Sequence, residues 1–429
     1  MSCNDRFVKT IPKGWNIDTI ENLGEVKGGK RLPKGECLIE QITPYPYIRL
    51  VDIKNNKVDM SNVMYLTEDI QNKISRYIVE KDDVCLAIVG NTIGLVFNIT
   101  DKEHGFNLTE NAARVTNLDK SRINNKFLFY YLKSEIGQYQ IISKKVGSAQ
   151  GKLPIKNVKQ IEVLLPPIEE QEKIANILSS LDEKIELNNE MNKTLEEMAQ
   201  SIFKRWFVNF EFPNEDGKPY KSSGGEMVDS ELGMIPKGWE VKELSQLVNI
   251  ITKSEKPFEN EDILYEHFSI PALDSNKLPI LEFGNSISSN KYKIDNDCIL
   301  ISKLNPNNKR IWNPYCNTSN SICSTEFIVY KAINNYPKSY IYEIINSDEF
   351  TKFLVANATG STGSRQRVKP KDTLGYKIVL PTIDKIIEID KILSPIHKNI
   401  QLNTQESNTI LQIRNILLPK LMSGEIKVN

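Results

Sequence analysis

The chain of 429 residues has only three histidines, and none of them stands at a metal-ligand spacing from another or from a cysteine. His104, His267 and His397 are therefore expected to be ordinary surface or core residues, and no metal site is anticipated. The six cysteines, Cys3, Cys37, Cys85, Cys298, Cys316 and Cys323, form no CxxC pair and no even framework. Free thiols in a reducing compartment are the expectation. No apolar run approaches the length of a membrane span, VCLAIVG at residues 84–90 being typical of the longest. The opening MSCNDRFVKT carries no apolar stretch of the kind a secretory signal needs, so a cytoplasmic location without membrane contact is expected. Net charge is missing too, since 55 basic residues face 55 acidic ones. Taken alone, that balance argues against a nucleic-acid partner.

Catalytic signatures are also absent. Asn305-Pro306-Asn307-Asn308 resembles the Asn-Pro-Pro-aromatic motif of amino-methyltransferases, but the second proline and the aromatic are not there, and a turn is expected instead. GSAQGK at residues 147–152 is one residue too short for a phosphate loop, and Leu153 replaces the hydroxyl residue that would hold Mg²⁺. A mobile or DNA-facing loop is the preferred reading. Glu425-Ile426-Lys427 looks like part of a nuclease signature, yet it has no upstream acidic partner in a strand-like context. No Ser/His/Asp or paired-carboxylate spacing emerges. The chain is not expected to be an enzyme by itself.

What is present begins with composition: 40% apolar and 26% charged residues, enough for packed cores in about two to three domains. The phrase IPKGWNI at residues 11–17 returns as IPKGWEV at residues 235–241, although tryptophan occurs only four times in the chain. Pro12 and Pro236 suit a turn, as do Gly14 and Gly238. Ile17, Ile20 and Leu23, like Val241, Leu244 and Leu247, then come at helical spacing. Each phrase thus predicts a turn leading into a helix, with Trp15 and Trp239 packing that helix on a core. A second marker recurs as IEVLLP at residues 161–166 and YKIVLP at residues 376–381.

Long helix-favouring segments come after both markers. Steps of four and three through the first give Ile174, Leu178, Leu181, Ile185, Asn188, Asn192 and Leu195. A constant shift of 215 gives Ile389, Leu393, Ile396, Ile400, Asn403, Ser407 and Ile410, with Leu417 further on. This is a heptad seam in duplicate, with a polar break at the same place in both copies. About 33 residues at about 1.5 Å each make a rod of about 50 Å, longer than a small domain is wide. Two such rods can bury their seams on each other. Antiparallel pairing sets Asn192 opposite Asn403 and Asn188 opposite Ser407; parallel pairing would also match polar with polar, and the chain topology favours antiparallel. Pro395 and Pro419 raise the prospect of kinks or late starts in the second rod. The aromatic stretch IFKRWFVNF at residues 202–210 is expected to pack on the neighbouring globular unit.

The expected class is therefore α+β: two mixed α/β globular domains joined by two long helices that pair as an antiparallel coiled coil, an internal pseudo-two-fold repeat. The boundaries expected are 1–166 and 234–380 for the globular domains, 167–210 and 381–429 for the helices and tail, and 211–233 for a linker rich in Pro, Gly, Ser and charge. Charge is segregated along this frame. Residues 167–200 carry nine acids against three lysines, so the remainder of the neutral chain is basic by six. Basic clusters stand at residues 27–34 (KGGKRLPK), 303–310 (KLNPNNKR) and 364–371 (SRQRVKPK). Lys and Arg flanked by Gly, Ser and Asn are the types that contact phosphates and base edges. Candidate DNA-contacting residues are Lys27, Lys30, Arg31, Lys34, Asn91, Thr92 and Lys152 in the first half, and Lys303, Asn305, Lys309, Arg310, Arg365 and Arg367 in the second.

The two IPKGW openings, GSAQGKLP ahead of IEVLLPPIEEQEKIANILSSLDEKIELNN, and a second, degenerate copy reading LPTIDKIIEIDKIL resemble the specificity subunits of type I restriction–modification systems. The resemblance covers essentially the whole chain. It implies two recognition domains that each read half of a bipartite, asymmetric site in double-stranded DNA, with the paired helices as a ruler. It also implies recruitment of two methyltransferase subunits, which bind S-adenosylmethionine, and of endonuclease/translocase subunits that use ATP and Mg²⁺, with no cofactor on this chain. The rival expectations are a coiled-coil scaffold that touches no nucleic acid, or a member that no longer supports restriction.

Overall fold

In the computed structural model, residues 11–147, 151–333, 336–360 and 366–428 are described. Each IPKGW phrase forms the expected turn: Trp15 N–H donates to Pro12 O at 3.0 Å and Trp239 N–H to Pro236 O at 3.1 Å. The turn leads into a strand, not into the expected helix. Asn16–Thr19 pairs antiparallel with Glu162–Leu165, and Glu240–Glu243 pairs with Lys377–Leu380. Only then does the chain make one turn of helix, over Ile20–Leu23, or of 3₁₀ helix, over Leu244–Gln246. The helical spacing of Ile17, Ile20 and Leu23 is overridden by a partner strand that lies far away in sequence. The two repeated markers of each half are thus each other's pairing partners.

The chain divides into two compact units, Met1–Ile185 with Thr409–Asn429, and Glu186–Asn408. In the first, an antiparallel sheet runs in the order Glu25–Gly28, Ala112–Thr116, Val84–Ala87, Val96–Asn98. Its two central strands are entirely buried. Helices Asn125–Lys133 and Glu135–Ser143 bury Phe127, Leu128, Tyr131 and Ile141 in the same core as Val84, Leu86 and Val115. A smaller sheet places Pro46–Ile48 between Met64–Tyr65 and Asn107–Leu108, the latter pairing parallel.

The second unit repeats this plan. Val248–Ile250, Phe327–Ala332, Cys298–Ser302 and Ile311–Trp312 form a sheet of the same order, backed by helices Lys338–Ile345 and Asp348–Ala356. The accessory sheet differs: five strands, with Leu264–Phe268 parallel to Ser321–Ser324 at its centre, stand where the first unit has three. Residues 211–233 are folded onto this unit. Phe212 stacks on Tyr220 at 4.6 Å and on Trp239 at 4.8 Å, and Met227–Ser230 pairs with Gly233–Pro236 in a hairpin. Turn-forming residues set the path, while Phe212, Tyr220 and Val228 supply the apolar anchors.

Two helices of 40 residues, Ile168–Phe207 and Ile383–Met422, run through both units, the second unbroken by Pro395 or Pro419. In the first unit, Ile174 and Leu178 share a core with Leu421 and Met422, and Arg414 Nη1 meets Asp182 Oδ1 at 2.5 Å. In the second, Asn403 Nδ2 donates to Asn192 Oδ1 at 2.9 Å, and Asn188 Nδ2 donates to Glu406 Oε2 at 2.8 Å and Ser407 Oγ at 3.2 Å. Rising numbers on one helix meet falling numbers on the other, so the pairing is antiparallel with the expected polar layer. Among the seam positions, Ile174, Leu178, Asn188, Ile389 and Leu393 are buried, and Leu181, Ile185, Asn192, Leu195, Ile396, Ile400, Asn403, Ile410 and Leu417 are half-buried. Phe203, Trp206 and Phe207 join the second unit's core, as expected of the aromatic stretch.

Candidate nucleic-acid interface

At one end of the first unit's main sheet, three chain segments leave the strands together. Gly29 N–H donates to Ala112 O at 3.0 Å and Lys30 N–H to Leu108 O at 2.8 Å, which fixes the start of the basic loop. A Cβ on Gly29 would lie 2.0 Å from Thr109 O, so only glycine permits this approach. The Tyr47 phenol donates to Lys30 O at 2.7 Å, and burial pushes its pKa up to about 12, so it remains a donor. Beside this loop, Ile88 N–H donates to Asn111 O, Leu153 N–H to Ile88 O, and Gly90 N–H to Gly151 O, at 2.8, 2.8 and 2.9 Å. The fold thereby gathers Lys27, Lys30, Arg31, Lys34, Asn91, Thr92 and Lys152 at one sheet end, all of them exposed. Arg31 is 84% exposed and only 3.7 Å from Glu110, a loose pair that a phosphate can displace. Lys27 pairs with Glu25 at 2.8 Å, again at the surface.

The same three hydrogen bonds recur in the second unit at the constant shift of 215. Lys303 N–H donates to Glu326 O, Val368 N–H to Lys303 O, and Asn305 N–H to Gln366 O, at 2.9, 3.1 and 3.0 Å. Arg367 therefore occupies the place of Lys152, and Asn305 that of Gly90. Gly90 has φ 71° and Asn305 φ 47°, a left-handed conformation that asparagine tolerates better than most residues. The side chains have diverged on this shared frame. Arg367 pairs with Glu326 at 3.1 Å with 60% of its side chain exposed. Lys303 donates to Thr325 O and lies 5.7 Å from the Tyr292 ring; its burial holds its pKa below the ordinary lysine range.

Lys309 and Arg310 take a different course. Arg310 makes a bidentate contact with Asp274 at 2.7 and 2.8 Å, and Lys309 donates to Asn346 O beside Asp348. Both brace the loop from within the unit. Arg365 lies outside the described residues.

Gln366 was not singled out by the charge pattern, although it stands inside one of the basic clusters. Its Oε1 and the Oδ1 of Asn305 are both buried without a hydrogen-bond partner among the described residues. Two orphaned amide acceptors beside exposed Arg367 form a site that asks for N–H donors, such as the amino groups of adenine or cytosine. The cue in sequence was its position, 215 residues after Gly151.

Among the described residues, no helix is long and apolar enough to cross a membrane, and no group of three or more His, Cys, Asp or Glu is placed to hold a metal ion.

Comparison with known proteins places this geometry among relatives. The family model described as "Type I restriction modification DNA specificity domain" matches residues 12–197. The Type I restriction enzyme MjaIX specificity subunit of Methanocaldococcus jannaschii is 26% identical over 97% of this chain and 95% of its own length. The Type I restriction enzyme HindI specificity subunit of Haemophilus influenzae is 25% identical over 70% of this chain and 77% of its own. In fold, the chain is similar to the crystal structure of a type I restriction–modification S subunit from M. genitalium, with a TM-score of 0.58 at 18% identity, covering 95% of this chain and 96% of that one.

Proposed function

Because the chain is similar over nearly its whole length to specificity subunits of type I restriction–modification systems, we propose that it is one of them and reads a bipartite, asymmetric site in double-stranded DNA. Residues 1–166 read one half of the site and residues 234–380 the other. The observation that carries this reading is the shared frame of three hydrogen bonds, which presents Lys152 in one unit and Arg367 in the other amid different neighbours. A common scaffold with divergent contents suits two related tasks on two different sequences. Phosphate contacts from the exposed basic residues would set position, and amides such as Gln366 would read bases.

The paired helices set the gap between half-sites. They also recruit two methyltransferase subunits, and through these the endonuclease/translocase subunits. Leu187, Met191, Met198 and Leu402 in the second unit, and Ile413 and Ile416 in the first, are exposed apolar side chains on these helices, more than a solvated helix needs. S-adenosylmethionine, ATP and Mg²⁺ would be held by the partner subunits, where the chemistry is done.

The test is an exchange of residues 25–160 for the matching segment of a relative, followed by single-molecule sequencing of methylated bases in the host genome. One half of the methylated site should change and the other remain. A change in both halves would overturn the division of labour. A scaffold without DNA contact would instead keep its function after Lys152→Glu and Arg367→Glu, which are expected to abolish salt-sensitive DNA binding.

A further inference from the structure

The second unit contains a cavity of about 420 Å³ that none of the candidate DNA-contacting residues lines. This is within the size range of small-ligand sites. Phe268, Trp312, Tyr315 and Tyr342 give it an aromatic lining, and the second long helix contributes His397, Lys398 and Gln401.

The internal repeat shows what is unusual about that helix face. At the shift of 215, these three residues correspond to Asp182, Glu183 and Glu186 of the first long helix. Three acids have become a histidine, a lysine and an amide, so negative charge has been removed from the wall. In the first unit Asp182 accepts from Tyr130 and Arg414. In the second, His397 Nε2 faces Glu343 Oε1 at 2.7 Å, and the His397 ring lines the cavity.

Positive charge, by contrast, has hydrogen-bond partners but no carboxylate partner among the described residues. Lys338 donates to the carbonyls of Asn296 at 2.6 Å and Pro314 at 3.4 Å, and no carboxylate lies within ion-pair distance of it among the described residues. Burial pulls its pKa down to about 8, so an anion beside it would be strongly favoured. Lys398 lies over the Tyr315 ring, 5.2 Å from its centroid. Gln401 Nε2 is buried with no hydrogen-bond partner among the described residues, while its Oε1 accepts from Lys398 at 3.4 Å. The one carboxylate in the lining, Glu196, is matched by Lys277 at 3.4 Å. Aromatic faces, an amide donor and two lysines that no carboxylate pairs among the described residues suit a planar heteroaromatic ring that carries one anionic group.

We infer that this cavity binds a nucleoside monophosphate, its base among the aromatic rings and Gln401 and its phosphate at Lys338 and Lys398. The nucleotide is either free or an unstacked unit of a DNA strand. Since the cavity joins side chains of the globular part with side chains of both long helices, an occupant would brace the second recognition domain against its helical support.

The test is calorimetric titration of the full chain with dAMP, dGMP, dCMP and dTMP in turn. At least one should bind saturably at one site. Lys398→Glu with Gln401→Glu, which restores the acids of the first helix, should weaken it at least tenfold with the melting temperature unchanged. Lys398→Ala, at an exposed position, is the milder variant and should weaken it about threefold. Displacement by a target-bearing duplex would assign the nucleotide to the DNA strand, and its absence to the free pool. Failure of all four nucleotides to bind at millimolar concentration would overturn the inference, as would undiminished binding by the variants.

Discussion

Gln366 and Lys152 stand on the same hydrogen-bond frame, yet they should fail in different ways when removed. The buried Oε1 of Gln366 has no partner among the described residues, which is costly unless a donor arrives with the ligand. Gln366→Ala should therefore relax discrimination at one base pair by about 1–3 kcal/mol while leaving the salt dependence of binding alone. Lys152 is exposed. Lys152→Ala should weaken binding to all sequences alike and reduce the salt slope by about 1. Anisotropy titrations across a salt series, with target and single-mismatch duplexes, separate the two. Unaltered discrimination in Gln366→Ala would remove it from the reading set. The basic clusters were legible in sequence because charge is visible there. Gln366 was not, because an amide becomes informative only when the fold withholds its partner. Nor could local sequence show that Arg310 would be claimed by Asp274, 36 residues earlier.

Secondary structure shows the same division between what periodicity carries and what tertiary pairing decides. The heptad spacing located both long helices and their polar layer, since a seam repeats regardless of what lies elsewhere. The strands after each IPKGW could not be read that way, because Asn16–Thr19 owes its conformation to Glu162–Leu165. Residues 211–233 look like a linker in composition, and their fold depends on a stack of Phe212 between Tyr220 and Trp239. The polar layer yields its own prediction. Asn188 is fully buried and donates to Asn403 O, Glu406 and Ser407. Asn188→Leu removes the donor and leaves the acceptors, at a cost near the low end of about 1–3 kcal/mol because Glu406 reaches solvent. Asn192→Leu combined with Asn403→Leu removes both members of a pair, and should be close to neutral. Thermal melts of the two variants should therefore differ in sign or size. Equal losses would mean that the layer contributes through packing and not through its hydrogen bonds.

If the paired helices set the distance between half-sites, their length must be convertible into base pairs. Each spans 40 residues, or about 60 Å at about 1.5 Å per residue. A heptad inserted after Asn192, with a second heptad immediately before Asn403 on the facing helix, adds about 10 Å to both. Seven residues fall within about 20° of two full turns, so the seam and the Asn192–Asn403 contact keep their facing. From length alone, at about 3.4 Å per base pair, the gap should widen by about three base pairs. A heptad placed in one helix only cannot keep the seam in register on both sides of the insertion, because one side must slip by seven residues, and it should lower the melting temperature without defining a new gap. The readout is the methylated-base pattern of a host carrying each variant. A wider gap between two unaltered half-sites would assign spacing to the helices and base reading to the sheet ends. An unaltered gap in a stable double-insertion variant would mean that spacing is set by the recognition domains or by the recruited subunits, and that the helices serve only to hold them.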